Sequence, residues 1–302
     1  MIVIGPRDGF SDKLAENLGC EFFELERKTF PDGEIRPRIL GVENINSPGR
    51  VILASRLERP LDPNRYLVEI LLTAKNIKSL GCDSITLVMP YMVYARQDKV
   101  FRPGEPLSAA YIMELMRHAG IERLVTVSCH FSGIETFCPG LKATSISGFK
   151  SIGKHLVEMG LKNPVVIGPD KKSGAWAKEI VDILGSGEYT FLEKHRDRNS
   201  GEVQTEETLS VDTSGRDVVI VDDIASSGGT LVNAINIVKK HQPKKIIIAV
   251  VHPILSGDCV EKVRTAGADM FLATDTIPSE ISKISVIEDI ARFIKTCEAK
   301  EV

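Results

Sequence analysis

The amino-acid sequence predicts an α/β protein made of two similar domains, each a mainly parallel sheet flanked by helices. Short apolar runs of strand type alternate with amphipathic helical patterns, an alternation that is typical of parallel sheets covered by helices. The length of 302 residues is enough for about two domains of ordinary size. Residues 2–19 and 165–185 also share one order: an apolar strand, a Gly-Pro turn, a short loop and an amphipathic helix that ends in Leu-Gly.

The shared order continues further along both halves of the chain. The segment GRVILAS (49–55) corresponds to GRDVVIVDD (215–223), and ITLVMPY (85–91) corresponds to IIIAVVHP (246–253). Each of the later strands follows a helical pattern, as expected for parallel strands joined by crossover helices. The repeated order therefore predicts two halves that fold alike.

The domain boundary follows from the same comparison. Helical patterns at 66–80 and 230–240 lie at matching places in the two halves. We expect an N-terminal domain of residues 1–145 and a C-terminal domain of residues 146–285. The last helical segment, 286–302, can stay with the second domain or pack back on the first, and the sequence leaves both arrangements open.

The composition excludes several classes of protein. Hydrophobic residues make up 43% of the chain and charged residues 26%, as in folded globular domains and unlike disordered chains. The net charge of −3 shows no basic excess, so we expect no binding to nucleic acid. No apolar run approaches the roughly 18 residues of a membrane helix, and the scattered cysteines indicate reduced thiols. Because MIVIGPRDGF lacks the pattern of a signal peptide, we expect a cytoplasmic protein without membrane contact.

The segment VVIVDDIASSGGT (218–230) carries the strongest functional pattern. Its apolar run predicts a strand buried on both faces, and the glycine-bearing turn that follows can surround an anion with backbone N–H groups at a helix N-terminus. Asp222 and Asp223 precede the turn, and carboxylates suit ribose hydroxyls, directly or through Mg²⁺. The alternative is an N-capped helix after a strand, with two solvated acids. We predict a sugar phosphate site whose phosphate is held by Ser226, Ser227, Gly228, Gly229 and Thr230.

Several segments resemble known families. VVIVDDIASSGGT resembles the phosphoribosyl-diphosphate motif of the type I phosphoribosyltransferase fold, which the resemblance implies for both domains. PYMVYARQDKVFRPGEPLSA (90–109) is similar to the nucleotide-binding segment of ribose-phosphate pyrophosphokinases. That family makes phosphoribosyl diphosphate from ribose 5-phosphate and ATP and releases AMP. Further segments match the same family in order: FPDGE (30–34), VSCHFSGIETF (127–137), GPD (168–170) and LEKHR (192–196).

The resemblance implies an ATP site in the first domain. Arg96 and Gln97 are expected to contact ATP, with Asp98 nearby, and a guanidinium group suits a polyphosphate. From the residues alone, this polar run after a strand favours an anion site, with an ordinary charged surface loop as the alternative, whereas FPDGE alone predicts only a turn. The resemblance further implies that the adenine is held by residues of a neighbouring subunit, and therefore a homo-oligomer of at least two chains. Those residues are Phe30, Asp32 and Glu34.

The resemblance also implies two Mg²⁺ sites and a diphosphate loop. His130 and Asp170 are expected around the Mg²⁺ on the ATP phosphates, although a lone histidine is more often structural. A second Mg²⁺ is expected at Asp222 and Asp223. The expected diphosphate loop is Asp170, Lys171, Lys172, Ser173 and Gly174.

Lys194 and Arg196 are the main catalytic cations that the resemblance implies. They lie in EKHRDRNSGEVQTEET, a polar stretch that from the residues alone predicts a solvated mobile loop. The two interpretations are compatible, because a loop that closes can bring cations to the transferring phosphorus only when substrate is bound. No residue of the sequence stands out as a general base.

One departure and two alternatives remain. Ser226 stands where many family members carry an acid, and Ile-Ala-Ser-Ser is similar to the archaeal members, which puts inhibition by ADP in doubt. A phosphoribosyltransferase that consumes phosphoribosyl diphosphate would need the 218–230 segment but not FPDGE or the 90–109 segment. A non-catalytic regulatory homologue would be expected to lose catalytic cations or the acid pair, and this chain retains both.

Overall fold

The computed structural model describes residues 1–44, 49–192, 194–196, 203–205 and 209–300. The chain divides into two compact units. Unit 1 comprises Met1–Ile146 and Val286–Val302, and unit 2 comprises Ser147–Ser285. Within the described residues, no helix has the length and apolar character that crossing a membrane would require.

Strands and helices alternate along both units. The strands are β1 (Ile2–Gly5), β2 (Glu21–Thr29), β3 (Ile35–Ile39), β4 (Arg50–Ala54), β5 (Ser84–Val88), β6 (Arg123–Val127), β7 (Lys142–Ile146), β8 (Val165–Gly168), β9 (Glu188–Phe191), β10 (Lys194–Arg196), β11 (Val203–Thr205), β12 (Asp217–Ala225), β13 (Lys245–Pro253), β14 (Met270–Thr274) and β15 (Ser282–Ile284). The helices are α1 (Ser11–Leu18), α2 (Pro63–Ser79), α3 (Ser108–His118), α4 (Ile134–Phe137), α5 (Gly148–Glu158), α6 (Gly174–Leu184), α7 (Gly229–Lys239), α8 (Cys259–Ala266) and α9 (Ile287–Lys300).

Unit 1 is built on a sheet with the strand order β3-β2-β1-β4-β5-β6-β7. β2 and β3 pair antiparallel, and the other neighbours pair parallel. The central strands are apolar along their length because helices cover both faces of a parallel sheet. Val51, Ile52 and Leu53 of β4, for example, are all at most 2% exposed.

Unit 2 is built on a parallel sheet with the strand order β15-β14-β13-β12-β8-β9. Its core includes Val165, Ile167 and Ile220, which are completely buried. β10 and β11 form a separate antiparallel pair. β12 is longer than the apolar run at 218–221 predicts and includes both following acids, because β13 continues to pair with it as far as Ala225.

The two units share one topology, so the prediction of two similar α/β domains is confirmed. β1 lies between β2 and β4 just as β8 lies between β9 and β12, and the later strands extend the sheet outward in the same order. The helices after β1 and β8 both end at a left-handed glycine, Gly19 with φ 70° and Gly185 with φ 67°. The Leu-Gly endings in the sequence therefore mark equivalent helix ends.

The last helix, α9, belongs to unit 1, where it packs against α1. Glu298 of α9 forms an ion pair with Arg50 at the start of β4. Arg123 of β6 donates from its Nη1 to Cys297 Sγ across 3.7 Å. These contacts tie the end of the chain to the first sheet.

Candidate active site

The acid pair lies at the carboxyl end of β12, in the middle of the unit 2 sheet. Asp223 is 6% exposed, and its backbone N–H donates to Asp222 Oδ1 across 2.9 Å. Burial, then the neighbouring Asp223 carboxylate and the charge on Asp170, raise the pKa of Asp222 to about 8. Crowding by the other carboxylates disfavours the charged form of Asp222, so a cation that binds at this edge would stabilise that charged form.

The loop from β12 to α7 leaves the helix N-terminus open. Gly228 is the N-cap residue, and it makes no side-chain cap hydrogen bond. Its φ of 83° and a distance of 3.1 Å from an added Cβ to Cys259 Sγ both favour glycine. Ser227, Gly229 and Thr230 are exposed around it. The first backbone N–H groups of the helix therefore face accessible space, as an anion site requires.

Ser226, earlier in this loop, contacts the loop after β13. Its Oγ lies 3.4 Å from Ser256 Oγ, and its carbonyl oxygen accepts a hydrogen bond from Ser256 N across 3.0 Å. Ser256, in the loop after β13, therefore supports the loop between β12 and α7. The sequence alone did not identify this residue, because the contact joins positions that are 30 residues apart.

The loop from β8 to α6 is a closed turn. Asp170 Oδ1 accepts from Ser173 N across 3.0 Å, and Ser173 Oγ lies 2.6 Å from the Asp170 carbonyl oxygen. Ser173 is completely buried, and a Cβ on Gly174 would lie 2.7 Å from the ring of Phe191. These two residues of the predicted diphosphate loop shape the turn, while Lys171 and Lys172 are exposed on it.

The turn also brings a cation to the acids. Lys172 Nζ lies 4.0 Å from Asp223 Oδ2, and the same ammonium lies 5.4 Å from the ring centroid of Trp176. Asp170, Lys172, Asp222 and Asp223 therefore share one edge of the unit 2 sheet. Lys172 lies in the turn before α6 and Trp176 in the first turn of that helix, and the sequence did not single out their contact.

The acid pair fits a Mg²⁺ ion by its chemistry. Among the described side chains, no group of three or more His, Cys, Asp and Glu is arranged to hold a metal by itself. Mg²⁺ usually binds one or two carboxylates together with water and substrate phosphate, so it does not need such a group. Burial and the neighbouring Asp223 carboxylate raise the pKa of Asp222, and a bound cation would favour the charged form of this side chain.

In unit 1, the predicted ATP segment forms a loop organised by Glu105. Gln97 Nε2 donates to Glu105 Oε2 across 3.1 Å, and the same oxygen accepts from the backbone N–H groups of Phe101 and Arg102 at 3.2 and 3.1 Å. Arg96 is exposed and Asp98 is half-buried. Glu105 lay in the turn-rich RPGEP stretch, but its role as the centre of the loop was not predicted.

The predicted adenine residues lie on the hairpin between β2 and β3. Phe30, Asp32 and Glu34 are all exposed. Phe30 N donates to Glu34 O across 2.8 Å, and Asp32 Oδ1 accepts from Glu34 N across 3.1 Å. The hairpin turn thus closes on itself and leaves the three side chains accessible.

The remaining predicted residues lie in different places. His130 follows β6 in unit 1. The two residues before it are held by the end of β7: Ser128 N donates to Ile146 O across 2.7 Å, and Cys129 N donates to Ser145 Oγ across 2.8 Å. Asp170, its predicted partner, belongs to unit 2. Lys194 and Arg196 are the end residues of β10, and their side chains lie outside the described residues.

Two family models match the chain, one in each unit. The model described as the N-terminal domain of ribose phosphate pyrophosphokinase matches residues 2–120. The model described as the phosphoribosyl transferase domain matches residues 148–282. Together with the shared topology, these matches confirm the predicted type I phosphoribosyltransferase-like fold.

Relatives match over nearly the whole chain. Ribose-phosphate pyrophosphokinase from Methanothermobacter thermautotrophicus is 37% identical over 94% of this chain and 97% of that protein. The enzyme of the same name from Thermococcus kodakarensis is 35% identical over 94% of this chain and 96% of that protein. The crystal structure of phosphoribosylpyrophosphate synthetase from Mycobacterium smegmatis is similar with a TM-score of 0.84, at 25% identity and 99% coverage of both chains. The predicted resemblance to archaeal members is confirmed, and the chain belongs to the ribose-phosphate pyrophosphokinase family.

Proposed function

We propose that this protein transfers the β,γ-diphosphoryl group of ATP to the 1-hydroxyl of ribose 5-phosphate, giving 5-phosphoribosyl 1-diphosphate and AMP. The observation that carries the proposal is the acid pair beside the uncapped N-terminus of α7. A phosphate needs hydrogen-bond donors, whereas sugar hydroxyls can donate to carboxylates. This edge of the sheet has N–H donors at the start of α7 and the two carboxylates at the end of β12. The protein is accordingly a diphosphotransferase, a kinase-type enzyme of nucleotide biosynthesis.

The ribose 5-phosphate site is assigned to the loop after β12. The backbone N–H groups of Gly228, Gly229 and Thr230 suit the 5-phosphate, because they are donors at the positive end of a helix. The hydroxyls of Ser226 and Ser227 can donate to the same phosphate. Asp222 and Asp223 accept hydrogen bonds from the ribose hydroxyls, which orients the 1-hydroxyl for in-line attack.

The cofactor proposed is Mg²⁺, held by Asp222 and Asp223 at the sugar and by His130 and Asp170 at the nucleotide. When bound, Mg²⁺ neutralises negative charge on the sugar and phosphate oxygens. Lys194 and Arg196 are proposed to add positive charge at the transferring phosphorus. Their positions in the LEKHR segment support this role.

ATP is assigned to Arg96, Gln97 and Asp98 for its phosphates and ribose, and to Phe30, Asp32 and Glu34 for its adenine. The exposed ring of Phe30 can stack on a base, and the carboxylates can accept from its amino group. We propose that the hairpin serves a neighbouring copy, so the working protein is at least a dimer. Light scattering at assay concentration tests this, and a monomer that is fully active would overturn it.

The activity is tested by AMP release from ATP and Mg²⁺, with and without ribose 5-phosphate. AMP that appears only with the sugar, matched by phosphoribosyl diphosphate, supports the proposal. No AMP, with ribose 5-phosphate still bound, would instead favour a regulatory homologue. Formation of a nucleotide from phosphoribosyl diphosphate and a free base would favour a phosphoribosyltransferase.

Lys194→Ala tests the proposed catalytic cation. We expect turnover to fall by about 10²–10³-fold, the size of effect typical of a group that stabilises transition-state charge, while ribose 5-phosphate binding survives. Lys150→Ala removes an exposed lysine of α5 and is the matched control. Unchanged turnover in Lys194→Ala would remove this residue from the mechanism.

A further inference from the structure

Lys172 is placed between the acid pair and the indole ring of Trp176. Its Nζ lies 4.0 Å from Asp223 Oδ2 and 5.4 Å from the centroid of the Trp176 ring. Asp222 is crowded by Asp223 and feels the charge on Asp170, so three carboxylates share this edge. A cation held there offsets repulsion among them.

The position of Lys172 is set by a rigid neighbourhood. Ser173, the next residue, is completely buried and hydrogen-bonded to both the backbone and the carboxylate of Asp170. Trp176 stacks on Phe149 with ring centroids 4.8 Å apart and an interplanar angle of 14°. Both ends of the turn are therefore fixed, and the ammonium is attracted to a ring face on one side and a carboxylate on the other.

The neighbouring lysine provides a contrast within the same turn. Lys171 is exposed, and within the described part of the chain it makes neither an ion pair nor a hydrogen bond. The two lysines thus carry the same charge on adjacent residues, but Lys172 alone of the two is directed at the acid pair.

We propose that Lys172 is an internal counter-ion of the acid pair, which pairs with Asp223 and competes with Mg²⁺ for it. The ammonium leaves Asp223 when a divalent cation binds, and its position over Trp176 changes with it. Lys172 is in this role a positioning residue, since it acts on the reaction through Asp223. The inference rests on the proposed function for its assignment of Asp222 and Asp223 to Mg²⁺.

The chain has a single tryptophan, so its fluorescence reports this contact directly. The full-length protein is titrated with Mg²⁺ alone, and binding is followed both by Trp176 emission and by calorimetry. In the wild type we expect the emission to change on binding. Lys172→Met should bind Mg²⁺ about two- to fivefold more tightly, the range that a half-exposed ion pair is worth, and its emission should be insensitive to Mg²⁺. Lys171→Met is the matched control and should keep the emission change with a smaller gain in affinity.

Two outcomes overturn the inference. One is equal Mg²⁺ affinity in the wild type and Lys172→Met, including no measurable binding to either protein. The other is an equal gain in Lys171→Met, which would show a general effect of charge. AMP release by the wild-type protein separates this inference from the proposed function: competition without AMP release by the wild type defeats only the function, and wild-type AMP release without competition defeats only the inference.

Discussion

The carboxyl ends of β4 in unit 1 and β12 in unit 2 occupy the same place in their sheets, but their chemistry is reversed. Leu53 pairs with Ile4 one residue before Gly5, and Ile220 pairs with Ile167 one residue before Gly168. In this register Arg56 stands where unit 2 has Asp223. Ser55 likewise stands where unit 2 has Asp222.

Unit 1 satisfies its own charges at this edge. Arg56 is 8% exposed; its Nε lies 3.2 Å from Asp8 Oδ2, and its Nη2 donates to the Asp8 carbonyl oxygen across 2.9 Å. In unit 1 the cation thus follows β4 and the β1–α1 loop carries the acid, whereas in unit 2 the acids lie on β12 and the β8–α6 loop carries Lys172. The unit 1 pair is closed, while unit 2 has more carboxylate than cation.

The helices that follow these strands, α2 and α7, differ in whether a side chain caps their first N–H groups. Asp62 caps α2, since its Oδ1 accepts from Asn64 N at 3.1 Å and from Arg65 N at 2.9 Å. Gly228 leaves the start of α7 without a side-chain cap. One topology therefore gives an edge whose charges pair with one another in unit 1, and an edge with excess carboxylate and an uncapped helix start in unit 2. The difference lies in unsatisfied charge and unsatisfied N–H groups, and not in the arrangement of strands.

The largest effect is expected from a change to the acid pair of β12, measured on activity. Asp223→Asn keeps the size of the side chain but removes its charge, so we expect kcat/KM for AMP release to fall by about 10²–10³-fold. The free energy of unfolding should not fall, since repulsion with Asp222 is relieved. Asp182→Asn, on the exposed face of α6, is the control. Full activity in Asp223→Asn would show that β12 is no more catalytic than β4.

The corresponding change in unit 1 should affect stability instead. Arg56→Met leaves the buried Asp8 carboxylate without its partner, and breaking a buried pair costs about 3–5 kcal/mol of unfolding free energy. Urea denaturation measures this loss. Asp8→Asn combined with Arg56→Met should recover part of it, because Asn retains the acceptor for Phe10 N and Ser11 N while removing the stranded charge. A large loss of AMP release in correctly folded Arg56→Met would contradict the comparison.

The edge at β12 was easier to single out from the sequence than the edge at β4. VVIVDDIASSGGT combines a buried strand, acids and a glycine turn within one segment, so local pattern was enough to mark it as a candidate, and its role as a ligand site stays a prediction. The corresponding segment of the first half, SRLERPLDPN (55–64), has mixed charges and no such pattern, and the pair of Arg56 with Asp8 joins residues 48 positions apart. Long-range pairing also explains the contact between Ser226 and Ser256 and the extension of β12. The alternating elements and the repeat were local patterns, and they predicted the fold correctly.

The titration of Asp222 gives an intermediate effect. Its pKa rises from the ordinary value of 3.8 to about 8, so between these values the folded protein holds a proton that the unfolded chain has lost. The free energy of unfolding should therefore fall as pH rises through this window, by at most about 1.4 kcal/mol per pH unit. We expect a loss of about 2 kcal/mol between pH 6 and pH 7.5 that is absent in Asp222→Asn. Urea midpoints for the two proteins at both pH values measure it, and parallel midpoints would show that Asp222 titrates normally. The equivalent Ser55 in unit 1 contributes no such dependence.

The smallest expected effect concerns the N-cap of α2. It tests whether the Asp62 carboxylate occupies, in unit 1, the position that a bound anion would take at the start of α7 in unit 2. Asp62→Ala removes the acceptor for two N–H groups at the helix start, and we expect the free energy of unfolding to fall by about 1 kcal/mol. Asp62→Asn keeps an oxygen acceptor of equal capping strength, so it should stay within a few tenths of a kcal/mol of the wild type.

Neither change should alter KM for ribose 5-phosphate, because the Asp62 carboxylate already occupies the N–H groups at the start of α2. If Asp62→Ala is as stable as the wild type, or if Asp62→Asn is as unstable as Asp62→Ala, the cap is not what closes this edge. Inorganic phosphate provides the decisive arm of the test. Phosphate that stabilises Asp62→Ala more than the wild type would show that an anion can take the place of the Asp62 carboxylate. The start of α2 in unit 1 would then have the same capacity to bind an anion that we propose for the start of α7 in unit 2.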